Sequence, residues 1–122
     1  MIIGIGIDLI EVKRVEKACE KEHFLTRCFT EREMDLIREE KRKASDNFAV
    51  KEAISKAFGT GIHGFELNEM EVLRDELGCP YVILYGNALK IAKERGITKI
   101  HVSITNTKIY SNAFVVAEGK ES

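Results

Sequence analysis

The sequence has no tryptophan, one proline and three cysteines among 122 residues. Cys19, Cys28 and Cys79 are odd in number and scattered, which excludes a disulfide framework and points to free thiols in a reducing compartment. Neither they nor His23, His63 and His101 show the paired spacing of a zinc site. Excess charge is also lacking. The 19 Lys and Arg nearly balance the 20 Asp and Glu, leaving a net charge of -1 and no global reason to bind nucleic acid or a membrane surface. No apolar run approaches the roughly 18 residues of a membrane span. The opening residues, Met1 to Gly4, lack the basic region and cleavage site of a signal peptide, so a cytoplasmic protein is expected. Repeats, low-complexity stretches and linkers are missing too, and residues 1–122 read as one domain. Its 44% hydrophobic fraction can fill a single core, but at this size stability is narrow and oligomer formation would help.

What is present is well patterned. Ile3, Ile5, Ile7 and Leu9 alternate with Gly4, Gly6 and Asp8, which predicts a strand with one apolar row. The other face carries two glycines and then a carboxylate, so backbone or ligand can approach closely there. Val12, Val15 and Cys19 recur at helical spacing. Thr30 and Glu33 form a capping-box pair, with Phe29 and Met34 spaced as a hydrophobic staple. The charged run Arg38 to Lys43 reads as a solvated helix end or loop. A helix is then predicted from an N-cap at Ser45 through Ala49, Ala53 and Ala57, stopping at Gly59. Two short strands, Met70–Leu73 and Tyr81–Leu84, are joined through Gly78 and Pro80 as a hairpin. Asn87 is the expected cap of a helix closed by Gly96. Two strands follow, with Ile100, Val102 and Ile104 on one face of the first and Ala113, Val115 and Ala117 on one face of the second. The class is α+β with a mainly antiparallel sheet.

Chemistry-bearing residues are few. Glu52 and Lys56 lie four apart on one helix face, which can be a surface ion pair worth about 0.2–0.5 kcal/mol or part of a site. Gly59-Thr60-Gly61 resembles a phosphate loop only faintly. It lacks the P-loop ending and follows a helix C-terminus, the wrong end for an anion. Asp8 closes an apolar strand, which is costly if buried and ordinary if it sits at a wet end. His101 is a sheet histidine that can simply be hydrogen-bonded.

The order of the motifs is more specific than any one of them. Gly6-Ile7-Asp8-Leu9-Ile10-Glu11, Arg14, the stretch Phe24 to Thr30 with Glu33, and the block Phe48 to Ile62 containing Lys51-Glu52-Ala53 and Lys56-Ala57-Phe58-Gly59-Thr60-Gly61 together resemble the holo-[acyl-carrier-protein] synthases. These are the small bacterial branch of the 4′-phosphopantetheinyl transferases. The Gly78-Cys79-Pro80 turn, the strand His101 to Thr105, Tyr110 and Ala113 extend the resemblance over essentially the whole chain.

The resemblance implies transfer of phosphopantetheine from coenzyme A to a serine of apo-acyl carrier protein, in support of fatty acid biosynthesis, with release of adenosine 3′,5′-bisphosphate. It implies Mg2+ held by Asp8 and Glu52, catalytic roles for Asp8, Glu52 and Lys56, and Glu52 as the favoured general base. Coenzyme A would lie along Lys56, Gly59, Thr60 and Gly61, with Asn47, His101 and Asn106 nearby. Arg14, Val15, Phe24 and Arg27 correspond to the family's surface for an acidic carrier. A homotrimer with sites between subunits is implied as well. Many relatives carry arginine at Asn47 and histidine at Asn106, so neutral amides there imply weaker recognition of the 3′-phosphate of coenzyme A. Tryptophan is absent beside Phe48, a difference of packing.

Two other functions could use the same residues. A magnesium-dependent hydrolase of nucleotides or coenzyme A would release phosphate without a carrier. A binding module would keep its ligand after loss of Asp8 and Glu52 and would need no metal.

Overall fold

The alternation at the N-terminus folds into β1 (Ile2–Glu11), and the side it turns inward is the glycine side. Its partner there is the long helix α4 (Lys43–Phe58). A Cβ at Gly4 would run into the Ala57 carbonyl, and one at Gly6 into that of Ala53. Helix and strand therefore meet backbone to backbone, which only glycine on the strand and alanine on the helix allow. Ile5, Ile7 and Leu9 point the other way and are 61%, 56% and 62% exposed in the single chain.

The computed structural model describes residues 1–60 and 63–120. After β1 come α1 (Val12–Ala18), α2 (Glu22–Cys28), α3 (Glu31–Glu39) and α4, then a 3-10 turn at Leu67–Glu69. The hairpin of β2 (Met70–Arg74) and β3 (Pro80–Leu84) follows, then α5 (Gly86–Glu94), β4 (Ile97–Asn106) and β5 (Tyr110–Gly119). Strands β1, β5 and β4 form one antiparallel sheet in that order, while β2 and β3 form a second. The α+β class with antiparallel sheets is as the pattern predicts.

Helix α4 is buried nearly all round, polar Asn47, Lys51 and Ser55 included, with Ala49, Val50, Ala53, Ile54 and Phe58 fully enclosed, so it forms the centre of the core. The inner row of the large sheet, Ala113, Val115 and Ala117, covers one side of it. Gly59, at a φ of 77°, ends it in the left-handed conformation as expected. The capping box at α3 is also formed: Thr30 Oγ1 accepts from the Glu33 N–H at 3.3 Å, and the Thr30 N–H donates to Glu33 Oε1 at 3.1 Å.

Two helix starts differ from the sequence reading. Helix α4 begins at Lys43, with Ser45 inside its first turn. The Ser45 hydroxyl is taken up in the interior, donating to the Arg42 carbonyl at 3.1 Å and lying 2.9 Å from the Ser111 hydroxyl. Helix α5 begins at Gly86, one residue before the expected cap. The capping carboxylate comes from outside the helix, where Glu69 Oε2 accepts the Asn87 N–H at 2.9 Å.

The outer face of the large sheet carries Ile5, Ile7, Leu9, Tyr110 and Phe114, all exposed in the single chain. Phe114 pairs with Ile7 in the register, so the row is continuous across β1 and β5. A contiguous apolar sheet face of this kind is a surface for association.

Candidate active site

Close packing of β1 on α4 brings the end of the strand onto the second half of the helix. Asp8 and Lys56, 48 residues apart, meet there: Lys56 Nζ donates to Asp8 Oδ1 at 3.1 Å and to the Ile7 carbonyl at 2.8 Å. Lys56 thus reaches across to the strand, and its ion pair is with Asp8. The Asp8 backbone is held from the far side, its carbonyl accepting from Asn112 Nδ2 at 3.0 Å.

Glu52, one turn before Lys56, is half-buried. Burial is the main force pushing its carboxyl pKa above the ordinary range; the Asp8 charge adds to it, and the Lys56 ammonium opposes both. Two carboxylates that repel one another beside a lysine are short of one positive charge. Among the described residues no group of three or more His, Cys, Asp or Glu could close around a metal. A two-carboxylate set is unsuited to zinc but fits Mg2+, which keeps waters and takes its remaining oxygens from a bound phosphate.

Glu52 opens onto a cavity of about 190 Å3 whose walls include Phe24, Arg27, Cys28 and Phe48. Arg27 and Phe24 also line a neighbouring groove of about 500 Å3, together with Arg14, Lys17, Lys21 and His23. A third hollow of about 210 Å3 runs from Leu9 and Ile10 past Arg14 to the same Phe24 and Phe48. Phe24 lines all three, and its ring lies 5.7 Å from that of Phe48, which lines the first and the third. The result is a basic groove with an aromatic floor that leads to Glu52, on a chain of nearly neutral total charge. Val15 lines one wall but is only 4% exposed; it is a core residue beneath the groove, not a docking contact.

Three expected ligand residues are engaged with partners inside the chain. Asn47 is fully buried, and its side chain is committed: Nδ2 donates to Glu33 Oε2 and to the Val72 carbonyl, both at 2.9 Å, while Oδ1 accepts from Arg74 Nη2 at 2.8 Å. A side chain so enclosed has no atom to offer a nucleotide, so its expected place beside coenzyme A is corrected to a structural one. Asn106 ends β4, with Nδ2 3.2 Å from Asp46 Oδ2. His101 lies on the outer sheet face, 2.9 Å from Glu118 Oε1, on the opposite side from the face packed against α4. Within one chain it does not meet Asp8, Glu52 and Lys56. Gly59 and Thr60 follow directly on α4, with the Arg95 guanidinium beside Gly59. Gly61 and Ile62 lie outside the described residues.

The sequence reading missed the polar centre of the protein. Glu33 and Lys51 are both fully buried and paired, Lys51 Nζ donating to Glu33 Oε1 at 2.6 Å and to the Cys28 carbonyl. Burial pushes the Glu33 pKa up and the Lys51 pKa down, and each partner's charge opposes the shift of the other. The capping-box spacing signalled Glu33 as a helix cap; nothing in the sequence signalled its second role.

An α+β chain with two oxygen-donor carboxylates, an adjoining lysine and a basic groove has the parts of an enzyme acting on a phosphate-bearing substrate. The family model of the 4′-phosphopantetheinyl transferase superfamily matches residues 4–115, and the chain belongs to that superfamily. It is similar to a holo-[acyl-carrier-protein] synthase of Lachnoclostridium phytofermentans, 58% identical over 118 residues covering 97% of each chain. Among solved structures it resembles the acyl carrier protein synthase of Plasmodium yoelii with ADP bound. That match has a TM-score of 0.88 and 35% identity over 99% of this chain and 98% of the other. A holo-(acyl-carrier-protein) synthase from Bacillus anthracis, in complex with CoA (3′,5′-ADP), matches with a TM-score of 0.81 and 34% identity, over 98% and 99% of the two chains.

Proposed function

We propose that this chain, as a single domain over residues 1–122, transfers 4′-phosphopantetheine from coenzyme A to a serine of an apo-acyl carrier protein. The products are the holo-carrier of fatty acid biosynthesis and adenosine 3′,5′-bisphosphate. The observation that carries this reading is the Asp8–Lys56 ion pair beside Glu52, with Glu52 opening into a cavity that shares Phe24 and Arg27 with the basic groove. Membership of the superfamily and the names of its relatives support it.

Asp8 and Glu52 are the residues that would hold Mg2+. When bound, the ion would neutralise charge building on the pyrophosphate and orient it for in-line displacement. The ammonium of Lys56 lies within hydrogen-bond reach of Asp8 and supplies a fixed positive charge for the phosphates. Glu52 is the carboxylate that opens into the groove, and we assign it the proton of the attacking serine. Gly59 and Thr60 would line the coenzyme side, with Gly61 beyond them; Asn106 and His101 are the remaining candidates for its adenosine end.

Arg14 and Arg27 flank Phe24 in the groove, which suits an acidic carrier with an apolar contact at its centre. Arg14→Glu is expected to raise the carrier KM by about tenfold or more while coenzyme A affinity stays unchanged. An unchanged carrier KM in that variant removes the docking assignment.

His101 and the Asp8–Glu52–Lys56 cluster fall on opposite faces of one sheet, so they can belong to one site only if it is shared between subunits. The exposed Ile5, Ile7, Leu9 and Phe114 supply an apolar surface for such a homotrimer. Light scattering should therefore give three times the chain mass, and Ile7→Asp should give inactive monomers. A monomeric, fully active protein rules the shared site out.

No helix among the described residues is long and apolar enough to cross a membrane. The direct test of the reaction is the intact mass of apo-acyl carrier protein after incubation with this protein, coenzyme A and Mg2+, alongside an EDTA control. A metal-dependent gain of one phosphopantetheine is expected. Phosphate release without carrier modification would mark a hydrolase, and coenzyme A binding with no reaction would mark a binding module.

A further inference from the structure

Helix α2 carries Phe24 and Arg27 into the groove, and it has little of its own to hold it in place. It is seven residues long, its N-cap Lys21 makes no side-chain capping bond, and a helix this short is marginal by itself. Of its C-terminal carbonyls, that of Leu25 accepts the N–H of the helix's own C-cap, Phe29, at 2.9 Å, and two others are held from outside. The Thr26 carbonyl accepts from Asn68 Nδ2 at 3.1 Å, and the Cys28 carbonyl from Lys51 Nζ. One donor comes from the 3-10 turn and the other from α4, so two side chains clamp the last turn of α2 against the rest of the protein.

Lys51 immediately precedes Glu52. Successive residues on a helix diverge by about 100°, so Lys51 turns into the interior while Glu52 opens into the cavity that Arg27 and Cys28 also line. The same turn of α4 thus presents the carboxylate and fixes the helix bearing the docking residues. An apolar pair in place of Glu33 and Lys51 could be equally stable. What an apolar pair could not do is donate a hydrogen bond to the Cys28 carbonyl.

We infer that Lys51 and Asn68 are positioning residues for the carrier: by clamping the C-terminal carbonyls of α2 they set the distance and orientation of Phe24 and Arg27 relative to Glu52. Glu33 accepts from Lys51 Nζ and so keeps it aimed at the Cys28 carbonyl. This inference rests on the groove being the carrier surface, as proposed above.

The test compares four variants with the wild type by steady-state kinetics on apo-acyl carrier protein, coenzyme A titration and thermal melting. In Glu33→Gln/Lys51→Met the buried charges are removed together. Asn68→Ala and Asn68→Asp remove an exposed donor at no cost to the core. Arg27→Glu reports on the groove itself. The double variant is expected to raise the carrier KM by about tenfold, and each Asn68 variant by about threefold, with coenzyme A affinity unchanged. A purely structural role would lower kcat with the folded fraction and leave the carrier KM alone; that result overturns the inference. If the double variant does not fold, the two Asn68 variants decide, and an unchanged carrier KM in both overturns it. An effect of Arg27→Glu without any effect of the others leaves the docking surface standing and removes the positioning role. Silence of all four, Arg27→Glu included, removes the docking surface and this inference with it.

Discussion

Glu52→Gln is expected to lower the transfer rate by about a thousandfold or more, roughly 4 kcal/mol of transition-state stabilisation, while making the metal-free protein more stable at neutral pH. Both effects come from the same charge. Glu52 lies half-buried beside Asp8, and burial first, then the Asp8 carboxylate, make its ionised form unfavourable in the folded chain. Its folded pKa is raised above the ordinary 4.5, so its contribution to stability is fully present below that value and lost as pH rises through the folded pKa. At neutral pH the carboxylate is therefore a net burden on the fold. Glutamine removes the charge, keeps the shape, and takes away the proposed cation ligand and proton acceptor. The group is open enough to solvent that the gain in stability stays below about 1 kcal/mol. Melting curves in EDTA should show the variant ahead of the wild type at neutral pH, with the gap closing as pH falls below the ordinary glutamate range. A variant that transfers normally, or that melts earlier than the wild type at neutral pH, contradicts the assignment.

Lys51→Met is expected to be the most damaging single change to stability, at about 3–5 kcal/mol. It strands the Glu33 carboxylate in a fully buried position, where Asn47 Nδ2 and the Thr30 and Val72 N–H groups remain as donors but no paired cation does. It also leaves the Cys28 carbonyl without its donor. In a chain of this size the loss corresponds to a fall in Tm of roughly 10–20 °C. Adding Glu33→Gln should restore most of it, because a buried pair removed together leaves no orphaned charge. Thermal unfolding of the two single variants and the double variant measures this as a coupling between the sites. Near-additive losses, or a Lys51→Met protein as stable as the wild type, would mean that the pair does not behave as a buried ion pair.

The two predictions concern neighbouring residues on one helix whose fates the sequence does not distinguish. Lys51 and Glu52 are both charged residues in an alanine-rich stretch; one ends in the core and the other in the groove. The difference depends on where Glu33 lies, 18 residues away in the chain but 2.6 Å away across the core.

Elements governed by local chemistry were legible in the sequence. The Thr30 and Glu33 capping box, the stop at Gly59, the hairpin around Gly78 and Pro80, and the alternation of β4 and β5 each depend on residues within a few positions of one another. Asp8, Glu52 and Lys56 were singled out as candidates not by local spacing but by the order of short motifs that marks the family. Tertiary structure alone decided which face of β1 is inside. A period of two shows that the faces differ, but only the close approach of α4 makes the glycine face the inner one. Packing likewise sent Lys56 to Asp8 rather than to Glu52, enclosed Asn47 behind Arg74, and placed Val15 beneath the groove. A residue's type and local spacing limit the bonds it can form; its partner is chosen by whichever distant segment is packed against it, and only the folded chain specifies that.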